Sequence, residues 1–295
     1  MKLQAIPRIA LLALLLLITV NMQAQPTAAQ TAAVAKTTGY APVNGLKMYY
    51  EVYGEGQPLL LIHGSYMSID LNYSGMIPEL AKKYKVITFE LQGHGRTADI
   101  ERPYSFAGFA DDVAGLLKHL NIEKADVVGY SLGATIALET AIKYPAMVNR
   151  LVFISSTYKM EGWSQATRQI FGMIKPEFFE HTPLKTEYVR LAPDTSHWRT
   201  FVTKLSKFGA EPFDLGADNV KAIKSPVLMI TGDNDGLDLN QVADMYRLLG
   251  GSVNGDMAGI PKSRLAIIPG KSHVTLMMDT PKLLAYISPF LEGKN

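Results

Sequence analysis

The chain has 295 residues, a formal charge of +2, 47% hydrophobic residues and no cysteine. Disulfides, thiol metal ligands and lipid attachment through cysteine are excluded, and so small and unpatterned a charge excludes the basic stripe that nucleic-acid binding needs. Once a short leader is set aside, the remaining length suffices for one α/β domain with a sizeable core.

Residues 1–24 carry Lys2 and Arg8, then an apolar run over 9–20, then polar Asn21. This is the pattern of a secretory signal peptide. The run is shorter than the roughly 20 apolar residues of a membrane span. Cleavage is expected near Ala24, with Ala28-Ala29 as the alternative, and the product is expected in the periplasm or outside the cell, without stable membrane association. Residues 25–40, rich in Ala, Thr and Gln, read as a flexible lead-in. The folded core is expected to open at Ala41 and to run to 154.

Leu46, Met48, Tyr50 and Val52 alternate as a half-buried strand does, and Gly54-Glu55-Gly56 turns the chain back. The run 59–62 is continuously apolar, as a strand covered on both faces should be, and 86–91 reads as another such strand. They end in His63-Gly64-Ser65-Tyr66 and Gln92-Gly93-His94-Gly95. Phe106, Phe109, Val113, Leu116, Leu117 and Leu120 recur at helical spacing. The run 126–130 is another strand, 134–144 a helix closed by Pro145, and 151–154, 227–230 and 265–268 three further buried strands. Between 155 and 225 lie helical patches but no strand candidate, with both tryptophans, Trp163 and Trp198, among many aromatics. That segment reads as a helical cap, most of whose aromatics make its own small core while a few line an apolar pocket. Residues 226–295 complete the core. The alternation predicts an α/β fold: a mostly parallel, roughly eight-stranded twisted sheet with helices on both faces.

In Gly129-Tyr130-Ser131-Leu132-Gly133 an apolar strand stops at a glycine-flanked serine and a helix-forming sequence follows at once. A serine at so sharp a turn is strained and exposed, and the flanking glycines remove Cβ atoms that would collide there. Its hydroxyl needs a base, and the base an orienting acid. His273 follows the last strand, in a loop at the carboxyl edge of the sheet where active groups of such folds collect. His63 and His94 also follow strands but sit beside glycines in turns. Asp235 follows the strand 227–230 and is well placed to reach His273. Asp233 and Asp238 are the alternatives, as a turn-forming side chain and a helix start. Ser155-Ser156-Thr157, after the preceding strand, contains no acid.

Ser131, Asp235, His273 is one of the few recurring orders of such a triad. With His-Gly at 63–64, Gly-His-Gly at 93–95, Gly-Tyr-Ser-Leu-Gly at 129–133, Gly-x-x-Asp at 232–235 and Gly-x-x-His at 270–273, the chain resembles the capped serine-hydrolase branch of the α/β-hydrolase superfamily. The resemblance spans about residues 43–291 and implies an oxyanion hole made by the backbone N–H groups of Ser65 and Leu132. Gln92 stands where the family usually has arginine, and Ala134 where it often has glycine. Residues 250–263, with four glycines, are long for their place and read as an insertion.

Gly93 to Ala98 fits a dinucleotide-binding spacing, but no helix follows. Residues 233–238 hint at a calcium loop without its glycine or its bidentate glutamate. No cofactor or metal is called for. The expected function is hydrolysis of a small, fairly apolar ester or lactone through an acyl-enzyme on Ser131, with Tyr66, Tyr130, Trp163 and Trp198 as pocket candidates. Acyl transfer, peracid formation, carbon–carbon bond hydrolysis and amide hydrolysis use the same triad. A receptor-like protein that keeps the pocket is the alternative from another class.

Overall fold

The computed structural model describes residues 36–294. The signal-peptide expectation lies outside the described residues. Eight strands form one sheet: β1 (Lys36–Val43), β2 (Leu46–Tyr53), β3 (Gln57–Ile62), β4 (Tyr84–Phe89), β5 (Ala125–Tyr130), β6 (Val148–Ile154), β7 (Val227–Asn234) and β8 (Arg264–Ser272). They lie in the order β1-β2-β4-β3-β5-β6-β7-β8, antiparallel for β1 with β2 and β2 with β4, and parallel thereafter. The seven strands expected from apolar patterning are present. The eighth, β1, begins at Lys36, inside the stretch read as lead-in, because pairing with β2 over eight residues orders a segment that has no apolar period of its own.

The helices are α1 (Ile69–Tyr73), α2 (Ile77–Leu80), α3 (Phe106–His119), α4 (Leu132–Lys143), α5 (Gln165–Phe171), α6 (Pro183–Leu191), α7 (Trp198–Ala210), α8 (Ala217–Ala222), α9 (Leu239–Leu248), α10 (Gly255–Ala258), α11 (His273–Met277) and α12 (Thr280–Leu291). Between β6 and β7 come α5 to α8 and short 3-10 turns, with one isolated bridge inside the segment, Lys159 to Asp214, and one, Trp163 to Leu237, that joins it to the chain after β7. α10 sits inside the 250–263 segment.

The sheet is covered on both faces. Val127, Ile136, Phe109 and Leu117 belong to the core on one side, and Val128, Tyr73, Ile77 and Leu283 to the core on the other. β5 is buried along its whole length, so the residue that follows it emerges above the middle of the sheet. β7 and β8 run past the ends expected for them, to Asn234 and Ser272, with a register shift between Gly232 and Asn234. A bulge of that kind re-aims the chain next to a site. Here it lets the acid loop and His273 leave the sheet side by side, the histidine as the first residue of α11 and not in the loop expected for it.

Candidate active site

Ser131 sits between β5 and α4 with φ 54° and ψ −120°, a backbone conformation that costs a non-glycine residue about 1–3 kcal/mol. The crowding around it explains both glycines. A Cβ on Gly129 would lie 2.3 Å from the Gly133 carbonyl oxygen, and one on Gly133 only 2.1 Å from that of Ile62. The turn is also tied sideways, because Ser131 N–H donates to the Ile154 carbonyl at 2.9 Å.

The hydroxyl of Ser131 lies 3.0 Å from His273 Nε2, and His273 Nδ1 lies 2.6 Å from Asp235 Oδ1. With its carboxylate partner on Nδ1, the imidazole carries its proton there and turns a lone pair to the serine. The other carboxylate oxygen, Asp235 Oδ2, accepts from Ser155 Oγ at 2.5 Å, Thr231 Oγ1 at 2.8 Å and Gly232 N–H at 3.1 Å. Burial pushes the Asp235 carboxyl up, but the charge and hydrogen bond of His273, with the Ser155 and Gly232 donors, outweigh it and hold the group below the ordinary carboxylate range. An ionised acid, an oriented base and a strained hydroxyl therefore stand in one line. Such a line can take a proton from the hydroxyl and stabilise the imidazolium that results.

The competing residues have other partners. Asp233 is exposed and accepts the Lys271 N–H at 3.2 Å, and Asp238 caps α9 by accepting from Asn240 and Gln241. His63 is fully buried, its Nδ1 bonded to the Gly64 carbonyl at 2.8 Å and its Nε2 accepting the Leu91 N–H at 3.2 Å. Burial lowers its pKa to about 4 and that of His94 still more clearly, so both are neutral supports of their turns.

Leu132 is the first residue of α4, so its N–H has no carbonyl one turn back to receive it. Ser65 follows Gly64, whose N–H is held by Asn72 Oδ1 at 2.8 Å. Tyr66, with φ 62°, packs on Phe179 at 4.9 Å and Phe201 at 6.0 Å between ring centres. Trp163 meets the His273 ring edge-on at 5.6 Å. Tyr130 is buried beneath that ring and donates its hydroxyl to the His273 carbonyl at 2.9 Å, so it supports the histidine from below. Trp198 packs among Phe179, Tyr188 and Phe201 inside the cap, away from the histidine that Trp163 touches. Gln92, in the family's arginine position, ties its loop by accepting from Arg102 and donating to Asp99, Ile100 and Arg102.

Three contacts had no signal in the sequence. Ser155 reaches Asp235. Ser68, which caps α1, donates to Glu187 of α6 at 2.7 Å, and Arg190 of α6 reaches Asp70 of α1 at 2.6 Å, an aspartate shared with Arg96. The start of the cap lies along the acid loop, with Ser164 N–H on the Gly236 carbonyl and Asp238 N–H on the Gly162 carbonyl, each at 2.9 Å. Among the described residues no group of three or more His, Asp or Glu side chains converges as a metal cage requires.

A family profile for the alpha/beta hydrolase fold matches residues 57–208. The chain belongs to the α/β-hydrolase family. This α/β-hydrolase is 42% identical over 108 residues, 35% of its length, to a 2-hydroxymuconate semialdehyde hydrolase from a Pseudomonas strain, and spans 38% of that protein. It is 33% identical over 120 residues, 41% of its length, to an uncharacterised protein of Mycobacterium tuberculosis, of which it spans 35%. Among solved structures it is similar to a meta-cleavage product hydrolase from Pseudomonas fluorescens, with a TM-score of 0.67 and 22% identity over 88% of this chain and 98% of that one. That likeness is one of fold.

Proposed function

We propose that this α/β-hydrolase is an exported serine hydrolase that cleaves a small, fairly apolar carboxylic ester or lactone. The observation that carries the reading is the unbroken line from the strained Ser131 hydroxyl through His273 to the buried, ionised Asp235. Ser131 Oγ attacks the carbonyl carbon while its proton passes to His273 Nε2. The N–H groups of Ser65 and Leu132 receive the negative charge on the carbonyl oxygen, an effect worth about 3 kcal/mol per donor. Collapse expels the alcohol, which takes the proton back from His273, and an acyl-enzyme remains. Water, deprotonated by the same histidine, then releases the acid.

Carbon–carbon bond hydrolysis is the second reading, favoured by the name of the Pseudomonas relative. The chemistry around the oxyanion loop supports the uncharged ester instead. Arg96 is paired with Glu90 and Asp70, and Arg190 with Asp70 and Glu187, so both arginines that meet α1 are already engaged and would not readily receive a substrate carboxylate.

Labelling with a fluorophosphonate, followed by turnover of p-nitrophenyl esters of increasing chain length, tests the reading. Covalent labelling of Ser131 with turnover of short esters is expected. Labelling without turnover of any ester, lactone or amide would favour the receptor-like alternative. Export is tested by N-terminal sequencing of protein from its native compartment, where a start between about Gln25 and Gln30 is expected. A chain that keeps 11–17 would be anchored.

A further inference from the structure

We propose that Ser155 is a positioning residue of the triad, which fixes the Asp235 carboxylate through its side chain while its own strand fixes the turn that carries Ser131. The inference rests on the triad reading above but concerns a residue that the triad does not contain.

The observation is one of linkage across three neighbouring strands. Ser131, after β5, gives its N–H to the carbonyl of Ile154, the last residue of β6. Ser155, the next residue, gives its own N–H to the carbonyl of Ile230 in β7 at 2.9 Å, and its hydroxyl to Asp235 Oδ2 at 2.5 Å. A single peptide junction, Ile154-Ser155, therefore touches the nucleophile turn on one side and the acid on the other. Ser155 is buried, and its φ is 54°. A serine rarely adopts that left-handed conformation, and here it accompanies a hydroxyl turned back onto the acid loop.

The three donors on Oδ2 are not equivalent. Thr231 Oγ1 also lies 3.2 Å from the Gly232 carbonyl, so its single proton has a second acceptor. Gly232 N–H is longer, at 3.1 Å, and comes from the acid's own loop. Ser155 alone reaches Asp235 from a different strand, and its contact is the shortest of the three. A hydrogen bond to an ionised group is the strong kind. Without it the charge on Asp235 is less dispersed and acts more strongly on the imidazole, while the aim of the carboxylate at Nδ1 is less firmly fixed.

The test removes the hydroxyl without disturbing the backbone. Ser155→Gly suits positive φ, and Ser155→Ala is the second variant. Both are compared with Thr231→Val in fluorophosphonate labelling rates across pH, short-ester kinetics, thermal melts and the resonance of the proton between His273 Nδ1 and Asp235. Ser155→Gly is expected to lower the labelling rate and kcat roughly 10- to 30-fold with KM little changed, the scale of a hydrogen bond to a charged group. The acidic limb of the pH–rate profile should move to higher pH, and the Nδ1 proton resonance should shift. Thr231→Val is expected to cost less on every readout.

A folded Ser155→Gly protein with wild-type rates, an unmoved limb and an unmoved Nδ1 resonance overturns the proposal. So does a loss of activity that follows the melts of both variants while the limb and the resonance stay in place. Failure of the hydrolase reading is separate, since it appears as wild-type protein that turns over no ester, lactone or amide, whether or not it is labelled. The Nδ1 resonance would still report whether Ser155 sets the acid–histidine pair.

Discussion

At the scale of single residues, the proposed mechanism makes Ser131, His273 and Asp235 one unit, and their losses should not add. Serine without a base is a weak nucleophile, and a base without serine has nothing to activate. Ser131→Ala and His273→Ala should each remove nearly all ester turnover, and the double variant should be scarcely worse than either, as steady-state kinetics would show. The melting temperature of Ser131→Ala should change little, because the Ser131 hydroxyl bonds only to a partly exposed imidazole. Substantial turnover by a folded Ser131→Ala protein would remove the covalent mechanism. The acid has its own comparison. Asp235→Asn should lower kcat by about 10⁴, the cost of losing the orienting carboxylate. Asp233→Asn should cost at most a few-fold, since that side chain is exposed and bonds to the Lys271 backbone. A reversal of the two effects would assign the acid to Asp233.

At the scale of elements, the site is a set of strand ends held in register. The turn between β5 and α4 works only because α4 packs against β3 with no side chain between them at Gly133. Gly133→Ala would drive a Cβ into the Ile62 and His63 carbonyls, at 2.1 Å and 2.6 Å, and main chain cannot yield as a flexible side chain can. A loss of about 1–3 kcal/mol is expected, the usual cost of overpacking. For a domain of this size that lowers the melting temperature by several degrees. Activity should fall too, because α4 carries the Leu132 N–H. An unchanged melt and unchanged kinetics would mean that β3 and α4 are less tightly apposed. The cap is held through short polar links, Ser68 to Glu187, Arg190 to Asp70 and Lys204 to Asp99 at 2.7 Å, which join it to α1 with its N-cap residue and to the loop after β4.

At the scale of the whole molecule, the neutral buried histidines set an acid limit. His63 has a folded pKa of about 4 against an ordinary 6.5, so the unfolded chain binds its proton more readily throughout that window. Its contribution is complete above 6.5 and is lost as pH falls toward 4, by about 3 kcal/mol at the lower end. His94 acts in the same direction, and Asp235, held below the ordinary carboxylate range, adds to the loss at still lower pH. Thermal melts should therefore shift steadily downward as the buffer is taken from neutrality to about pH 4.5. A flat profile would contradict the burial of both rings.

Much of this is legible in the sequence. β3, β4 and β5 carry largely apolar stretches, Leu59 to Ile62 in β3 without a break, as strands covered on both faces should. Gly129 and Gly133 bracket Ser131 because the elbow has no room for Cβ atoms, a local demand written in local residues. Ser131, Asp235 and His273 each follow their own strand in one of the few recurring orders, so position alone puts them forward, with Asp233 and Asp238 left as alternatives for the acid. β1 could not be read, since its residues lack an apolar period and are ordered only by the neighbour they pair with. Asp235, rather than Asp233 or Asp238, faces His273 because a register shift between β7 and β8 aims the loop, and two of three nearby aspartates find backbone partners instead. Tyr130, a pocket candidate on type alone, lies beneath the histidine. Ser155 looked like an unremarkable strand end, yet it meets the acid from the next strand. Side-chain period and turn chemistry act over a few residues and are carried by the sequence itself. Which donor meets which acceptor across strands far apart in the chain depends on sheet register and twist, and only the assembled structure fixes those.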